Sequence, residues 1–313
     1  MRLATDAVRV QVPATSANLG PGFDALGVAL DLVDDIEVRA IGAARTRVEV
    51  LGEGAGRVPE DDSHLVVRAL RHALDVAGAP QFGVEMTCTT RIPHCRGLGS
   101  SAAAVVAGIV AARGLVAEPE ALDDDVALRI ATEFEGHPDN AAPAILGGAT
   151  VAWTNEDGPR ATRIEVDPAV VPIAIVPPVQ LATSKARGVL PAHVPHADAA
   201  FAAGRSALLV EALGRRPELL LEATEDRLHQ SYRGAVMPDS IALVTALRSR
   251  GVAAVVSGAG PTVLVLARRV PGGTDADATI AEVFGPTMGG WRVRTLGIAP
   301  RGAIVEELPH TST

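Results

Sequence analysis

Residues 91–104, RIPHCRGLGSSAAA, constrain the fold of this chain more than any other segment. Residues 83–91 before them alternate polar and apolar side chains, as a strand does. After them, small apolar residues run on to about Val116 with helical character. A strand therefore enters a glycine-rich turn, and Ser100 or Ser101 begins a helix. Glycines let a backbone approach a ligand closely. The first N–H groups of a helix have no partner within it, and that end carries partial positive charge. Both properties favour an anion, phosphate above all. The competing reading is a serine cap on a packed, Ala-rich helix. Taken locally, the two are evenly matched. Three familiar glycine motifs do not fit. There is no Lys as in GxxxxGK[ST]. Gly97 and Gly99 begin a GxGxxG, but residue 102 is alanine. Neither serine has the flanking glycines of GxSxG.

A chain of 313 residues exceeds one compact core, so two domains are expected. Hydrophobic residues at 48% against 21% charged indicate an ordered globular protein. Aromatics are only 3%, so the core must be built from Val, Leu, Ile and Ala, with close helix packing. A net charge of −9 disfavours nucleic-acid binding. Cys88 and Cys95 fit neither a zinc motif nor a disulfide framework, which points to a reducing cytoplasm. The N-terminus has no signal-peptide apolar block. The most apolar segment, 102–117, is interrupted by Arg113 and is too short to span a bilayer, so no membrane association is expected.

The patterns predict strands over 8–12, 27–32, 36–40, 47–51, 83–91, 149–153, 163–166, 173–176, 252–256, 263–267, 292–296 and 303–307. Helices are predicted over 63–77, from Ser100 or Ser101 to about 116, and over 118–134, 193–215, 217–229 and 240–250. Residues 135–143 read as a loop. Strands and helices mix without regular βαβ alternation, which indicates an α+β protein. The domain boundary falls between 166 and 194, giving units 1–170 and 171–313.

The string PxxxGLGSSAA at residues 93–103 resembles the phosphate loop of the GHMP kinases, the family of galactokinase, homoserine kinase, mevalonate kinase and phosphomevalonate kinase. Two further glycine motifs of that family have counterparts here, VPATSANLGPGFDALGVAL at 12–30 and VSGAGPTVLVLA at 256–267. Within the family, VPATSANLGPGFD, EGHPDNAAPAILGG at 135–148, TSKAR at 183–187 and HQSYR at 229–233 resemble the homoserine kinases. Ser231 stands where those kinases usually carry proline.

The resemblance implies an α+β two-domain fold. Its N-terminal domain would be like ribosomal protein S5 domain 2 and carry the ATP-binding loop; its C-terminal domain would be ferredoxin-like. It implies direct in-line transfer of the γ-phosphoryl group of ATP to the side-chain hydroxyl of L-homoserine, a step in threonine biosynthesis, with Mg²⁺, in a cytoplasmic homodimer. Carried over residue by residue, the nucleotide loop is Pro93, Arg96, Gly97, Leu98, Gly99, Ser100, Ser101 and Ala102. The amino-acid substrate is expected at Asn18, Asp24, His137, Asn140, Thr183, Arg187, Arg233 and Gly260. Arg187 and Arg233 offer guanidinium forks for its carboxylate. Asp24 offers an acid for its ammonium, and Asn18 a partner for the hydroxyl end. Mg²⁺ is expected at Ser100 or Ser101 with one carboxylate, Glu135 first and Glu133 second. The catalytic set is Asp24, Ser101, Glu135 and Arg187, and whether any residue is a general base stays open. Other readings are a GHMP kinase for a different alcohol, a non-catalytic binding protein of this fold, and an RNA binder. Cys95 and the His193/His196 pair read as incidental.

Overall fold

The computed structural model describes residues 2–42, 45–285 and 289–309. Its first half contains β1 (Ala7–Ala17), β2 (Leu26–Ile41), β3 (Thr46–Gly52), α1 (Leu65–Val76), β4 (Gly83–Thr90), α2 (Ser100–Leu115), α3 (Asp124–Glu135), α4 (Ala141–Leu146), β5 (Ala149–Asn155) and β6 (Gly158–Ile164). The second half contains β7 (Val170–Val176), α5 (Thr183–Arg187), α6 (His196–Gly214), α7 (Leu220–Ala223), α8 (Pro238–Arg248), β8 (Ala254–Val256), β9 (Val263–Val270), β10 (Gly273–Thr274), α9 (Asp277–Phe284), β11 (Arg292–Thr295) and β12 (Ile304–Glu307).

Among the described residues the strands form two sheets. The first runs β12-β1-β2-β4-β3, with β5 pairing the start of β2 and β6 pairing β5; its β3–β4 pair is parallel. The second runs β10-β9-β7-β11, with β8 on β9. Residue 170 separates the two sheets along the chain, except that β12 returns to β1 with Val10 opposite Val305. The mixed, mainly antiparallel arrangement is the expected α+β class.

β2 is a single strand where the sequence predicts two. Its VDD segment at 33–35 looks like a break, but both acids have partners elsewhere in the fold. Asp35 pairs with Arg9 across the β1–β2 ladder, and Asp34 Oδ1 accepts the backbone N–H groups of Arg91 and Ile92. A second difference lies at 217–229. The expected helix shrinks to a turn at Pro217–Leu219 and the four residues of α7. The carboxylate of Asp226 then accepts N–H groups from Leu228, His229 and Gln230, which holds the chain in a turn instead of a helix. Conversely, the loop expected at 135–143 contains the start of α4.

α2 is the central element. Residues 105–112 are all buried, as befits a helix apolar on every face. Its Gly108 permits α1 to approach closely, since a Cβ there would lie 2.3 Å from the Val66 carbonyl oxygen. β7 is buried on both faces and sorts its residues between two cores. Ala174 and Val176 face the main core, and Ile173 and Ile175 face the cluster under α8 and α9. This arrangement aims the N-terminus of α2 at the seam where the β1–β2 loop meets the β8–β9 turn.

Candidate active site

The loop between β4 and α2 is built for close approach. Cys95, Gly97 and Gly99 have φ of 54°, 75° and 69°. A Cβ on Gly97 would fall 2.3 Å from the Ser257 carbonyl oxygen, and one on Gly99 would fall 1.9 Å from Thr15 Oγ1. Only glycine fits either place. Gly99 is the N-cap of α2, and no side chain caps it. The cap is therefore a glycine and not a serine. The serines do not cap the helix, so its first N–H groups keep their capacity for an anion.

Neighbouring motifs hold the loop by its carbonyls. Thr15 N donates to Leu98 O at 3.1 Å, Ser257 Oγ to Gly97 O at 2.6 Å, Thr262 N to Arg96 O at 3.2 Å and Leu181 N to Cys95 O at 2.9 Å. The Arg96 guanidinium donates to the carbonyls of Pro177, Pro178 and His94, so it anchors the loop. Pro93, Leu98 and Ala102 are buried beneath the loop.

Opposite lies the β1–β2 loop. Asn18, Leu19 and Asp24 all have positive φ, at 69°, 47° and 55°. Left-handed backbone at non-glycine residues is costly and concentrates at functional sites. Asn18 holds the loop in shape. Its Nδ2 donates to Gly258 O and its Oδ1 accepts from Asp24 N, both at 2.9 Å. Asp24 pairs with Arg187, whose Nη2 and Nη1 lie 2.5 and 3.3 Å from the carboxylate oxygens. Arg233 is buried, and its Nη1 donates to Gly258 O. Burial, with the nearby charge of Arg187, pulls Arg233 down to about 10, which leaves it cationic at neutral pH.

The third wall is EGHPDN. α3 ends at Glu135, and Gly136 (φ 82°) reverses the chain. Ser101 Oγ donates to Glu135 Oε1 at 2.5 Å. Burial raises the Glu135 carboxyl above its ordinary range, and the Ser101 bond offsets part of that rise. His137 Nδ1 lies 2.7 Å from Asp139 Oδ1. Burial opposes the imidazolium, yet the bond and charge of Asp139 outweigh it and His137 is raised. Asn140 Oδ1 accepts from Thr15 Oγ1 at 2.9 Å. Ligand-type atoms of Asp24, His137 and Asp139 lie within 4.8 Å of one another.

These groups border a cavity of about 120 Å³. Asn18, Arg96, Gly97, Gly99, Ser100, Ser101, Glu135, His137, Asn140, Thr183, Arg187 and Arg233 all line it. Besides Pro93, Leu98 and Ala102 beneath the loop, three candidates stand apart. Asp24 reaches the cavity through its bond to Arg187. Gly260 does not line it, and a Cβ there would fall 2.7 Å from the Met237 side chain. Glu133 is exposed and bonds His72 at 2.9 Å. Two residues along a helix from Glu135, it points to the opposite side. A second cavity of about 260 Å³ shares Cys95, Ser100 and Ser101 and extends between Ile36, Val50, Val58, Leu65 and Val66, with Asp34 and His64 on its wall. Sequence reasoning missed this cavity, because its walls come from β2, β3 and α1 and share no local motif.

The chain matches the family model "GHMP kinases N terminal domain" over residues 64–148 and "GHMP kinases C terminal" over residues 205–283. It is 54% identical over 308 residues to a homoserine kinase of Streptomyces coelicolor, covering 98% of this chain and 96% of that protein. It is 50% identical over 305 residues to one of Clavibacter michiganensis, covering 97% and 96%. The crystal structure of homoserine kinase from Cytophaga hutchinsonii superposes with a TM-score of 0.82 at 26% identity, covering 97% of this chain and 98% of that one. A crystal structure of L. major mevalonate kinase shares the fold, with a TM-score of 0.68 at 14% identity over 96% of this chain and 99% of that one.

Proposed function

The chain belongs to the GHMP kinases and acts as a kinase on homoserine; from that premise we propose that the cleft just described is its active site, with the roles below. The observation that carries this reading is the meeting, in one cavity, of an uncapped helix N-terminus in a glycine loop with Arg233 and with Arg187, which holds the acid Asp24 at the cavity's side.

ATP enters as the phosphoryl donor. Its phosphates lie against the α2 N-terminus and the backbone of Gly97–Gly99, and its base occupies the apolar cavity that continues from Ser100 and Ser101. L-Homoserine presents its carboxylate to Arg187 and Arg233 and its ammonium to Asp24, where Asp139 adds negative charge. His137, Asn140, Thr183 and Asn18 line the space left for the side-chain hydroxyl.

A divalent cation fits Ser101 and Glu135. A half-buried carboxylate whose hydrogen bond comes from one serine suits Mg²⁺, with phosphate and water completing the shell. Bound there, Mg²⁺ would supply charge neutralisation to the phosphates. Glu133 is not part of this site. The residues named here act by position and charge. They bring the hydroxyl and the γ-phosphoryl group into line. Asp24 is held by Arg187 and serves binding rather than proton abstraction.

The unit is proposed as a homodimer working in the cytoplasm, in keeping with the family and with free cysteines at 88 and 95. Among the described residues no helix is long and apolar enough to cross a membrane. A coupled ADP-release assay over L-homoserine, L-serine, L-threonine, mevalonate and galactose tests the reading. L-Homoserine is expected to have the highest kcat/KM. A folded protein that turns over another of these alcohols faster contradicts it.

A further inference from the structure

Asp226, His229, Gln230 and Arg233 form a buried group behind the substrate cavity. The side chains of His229 and Asp226 are fully buried. Asp226 fixes the turn through three backbone N–H groups. Gln230 Oε1 accepts from Val256 N at 2.6 Å, which ties the turn to β8. His229 then bridges two parts of the cleft. One ring nitrogen, Nε2, lies 2.8 Å from the Gly20 carbonyl oxygen in the β1–β2 loop. The other, Nδ1, lies 2.9 Å from Nη1 of Arg233.

These partners fix one protonation state. A carbonyl can only accept, so Nε2 carries the hydrogen. A guanidinium can only donate, so Nδ1 is bare. Burial, reinforced by the positive charge of Arg233, lowers His229 to about 4 against the opposing charge of Asp226, and this keeps it neutral. Both hydrogens of Arg233 Nη1 are then in use, one on His229 Nδ1 and one on the Gly258 carbonyl oxygen. Nε of Arg233 is buried without a protein partner. Nε and Nη2 form the side edge of a guanidinium, the edge that takes a carboxylate with two parallel bonds.

We propose that His229 is the positioning residue for Arg233: it holds Nη1 from behind so that the Nε/Nη2 edge faces the substrate carboxylate, and it ties that orientation to the β1–β2 loop through Gly20. The proposal rests on reading Arg233 as a carboxylate-binding group.

Two substitutions separate the ring nitrogens. In His229→Asn, the side-chain oxygen falls near the place of Nδ1 and can still accept from Arg233. In His229→Gln, the polar end falls near the place of Nε2 and serves Gly20 instead. KM for L-homoserine, KM for ATP and kcat are measured for both, with melting curves to establish that each is folded, and for Arg233→Gln. His229→Gln is expected to raise KM for L-homoserine about tenfold or more, the scale of one hydrogen bond to a charged group. His229→Asn is expected to recover most of that loss, and KM for ATP is expected to stay the same in both. Equal KM values for the Asn and Gln variants, or a matching rise in KM for ATP, overturn the positioning role while leaving Arg233's role intact. An Arg233→Gln variant with unchanged KM for L-homoserine overturns the reading of Arg233 and the proposal with it.

Discussion

Asp24→Asn separates binding from proton abstraction at a carboxylate placed for either. The carboxylate lies 2.5 Å from Arg187 Nη2 and near His137 and Asp139. Its partner for the substrate is an ammonium, and a hydrogen bond to a charged group contributes about 1.5–3 kcal/mol. At ~1.4 kcal/mol per tenfold, KM for L-homoserine should rise about 10- to 150-fold. The transferred phosphoryl group and the hydroxyl keep their neighbours, so kcat should fall less than about threefold. Stability should hardly change, because the Asp24–Arg187 pair is about one-third exposed on both sides and such pairs contribute ~0–1 kcal/mol. Initial rates over L-homoserine at saturating Mg-ATP, with a melting curve of each protein, measure all three quantities. A kcat collapse of ~10² or more with KM unchanged would make Asp24 a general base and refute the assignment.

Other consequences can be measured on the same protein. Glu135→Ala should lower kcat by ~10²-fold or more and raise the Mg²⁺ concentration needed for half-maximal rate, as loss of a metal ligand does. Glu133→Ala, on the exposed face with His72, should stay within about twofold of the parent; equal losses at the two positions would contradict the placement of the cation. Asp34 is held up at about 6 by burial, with the Arg91 and Ile92 amides pulling it partly back. A raised acid favours the protonated native state, so its contribution is fully present below about 3.8 and is lost as pH rises through about 6. At ~1.4 kcal/mol per unit this is on the order of 3 kcal/mol. Urea unfolding at pH 4 and pH 7 should therefore show the parent losing about that much stability relative to Asp34→Asn, and a constant difference between the two proteins rules the effect out.

The parts of this molecule that could be read from the chain are those where backbone conformation demands a residue type. Gly97 and Gly99 stand at positive φ with neighbours less than 2.5 Å from any Cβ, so the loop motif records a steric requirement. Asn18, left-handed and bonded through both ends of its amide, does the same in the β1–β2 loop. Features set by partners far along the chain were not legible. Asp34 looks like a strand break until Arg91 and Ile92 arrive 57 and 58 positions later. A local capture also escaped the pattern: 217–229 reads as a helix, yet the Asp226 carboxylate takes the amides of Leu228, His229 and Gln230, two to four positions on. Glu133 and Glu135 are alike in sequence, and only the orientation of α3 separates a solvent-facing acid from one bonded to Ser101. The apolar cavity beyond Ser101 draws its walls from elements with no shared pattern.

This cleft is expected to transfer phosphate to the hydroxyl of L-homoserine. Phosphorus NMR of the reaction mixture tests it most directly, with L-homoserine, Mg-ATP and purified protein in one tube. The expected spectrum gains one phosphomonoester signal, coupled to the side-chain methylene, in step with ADP. ADP accompanied only by inorganic phosphate, or no turnover by a folded protein, contradicts the claim.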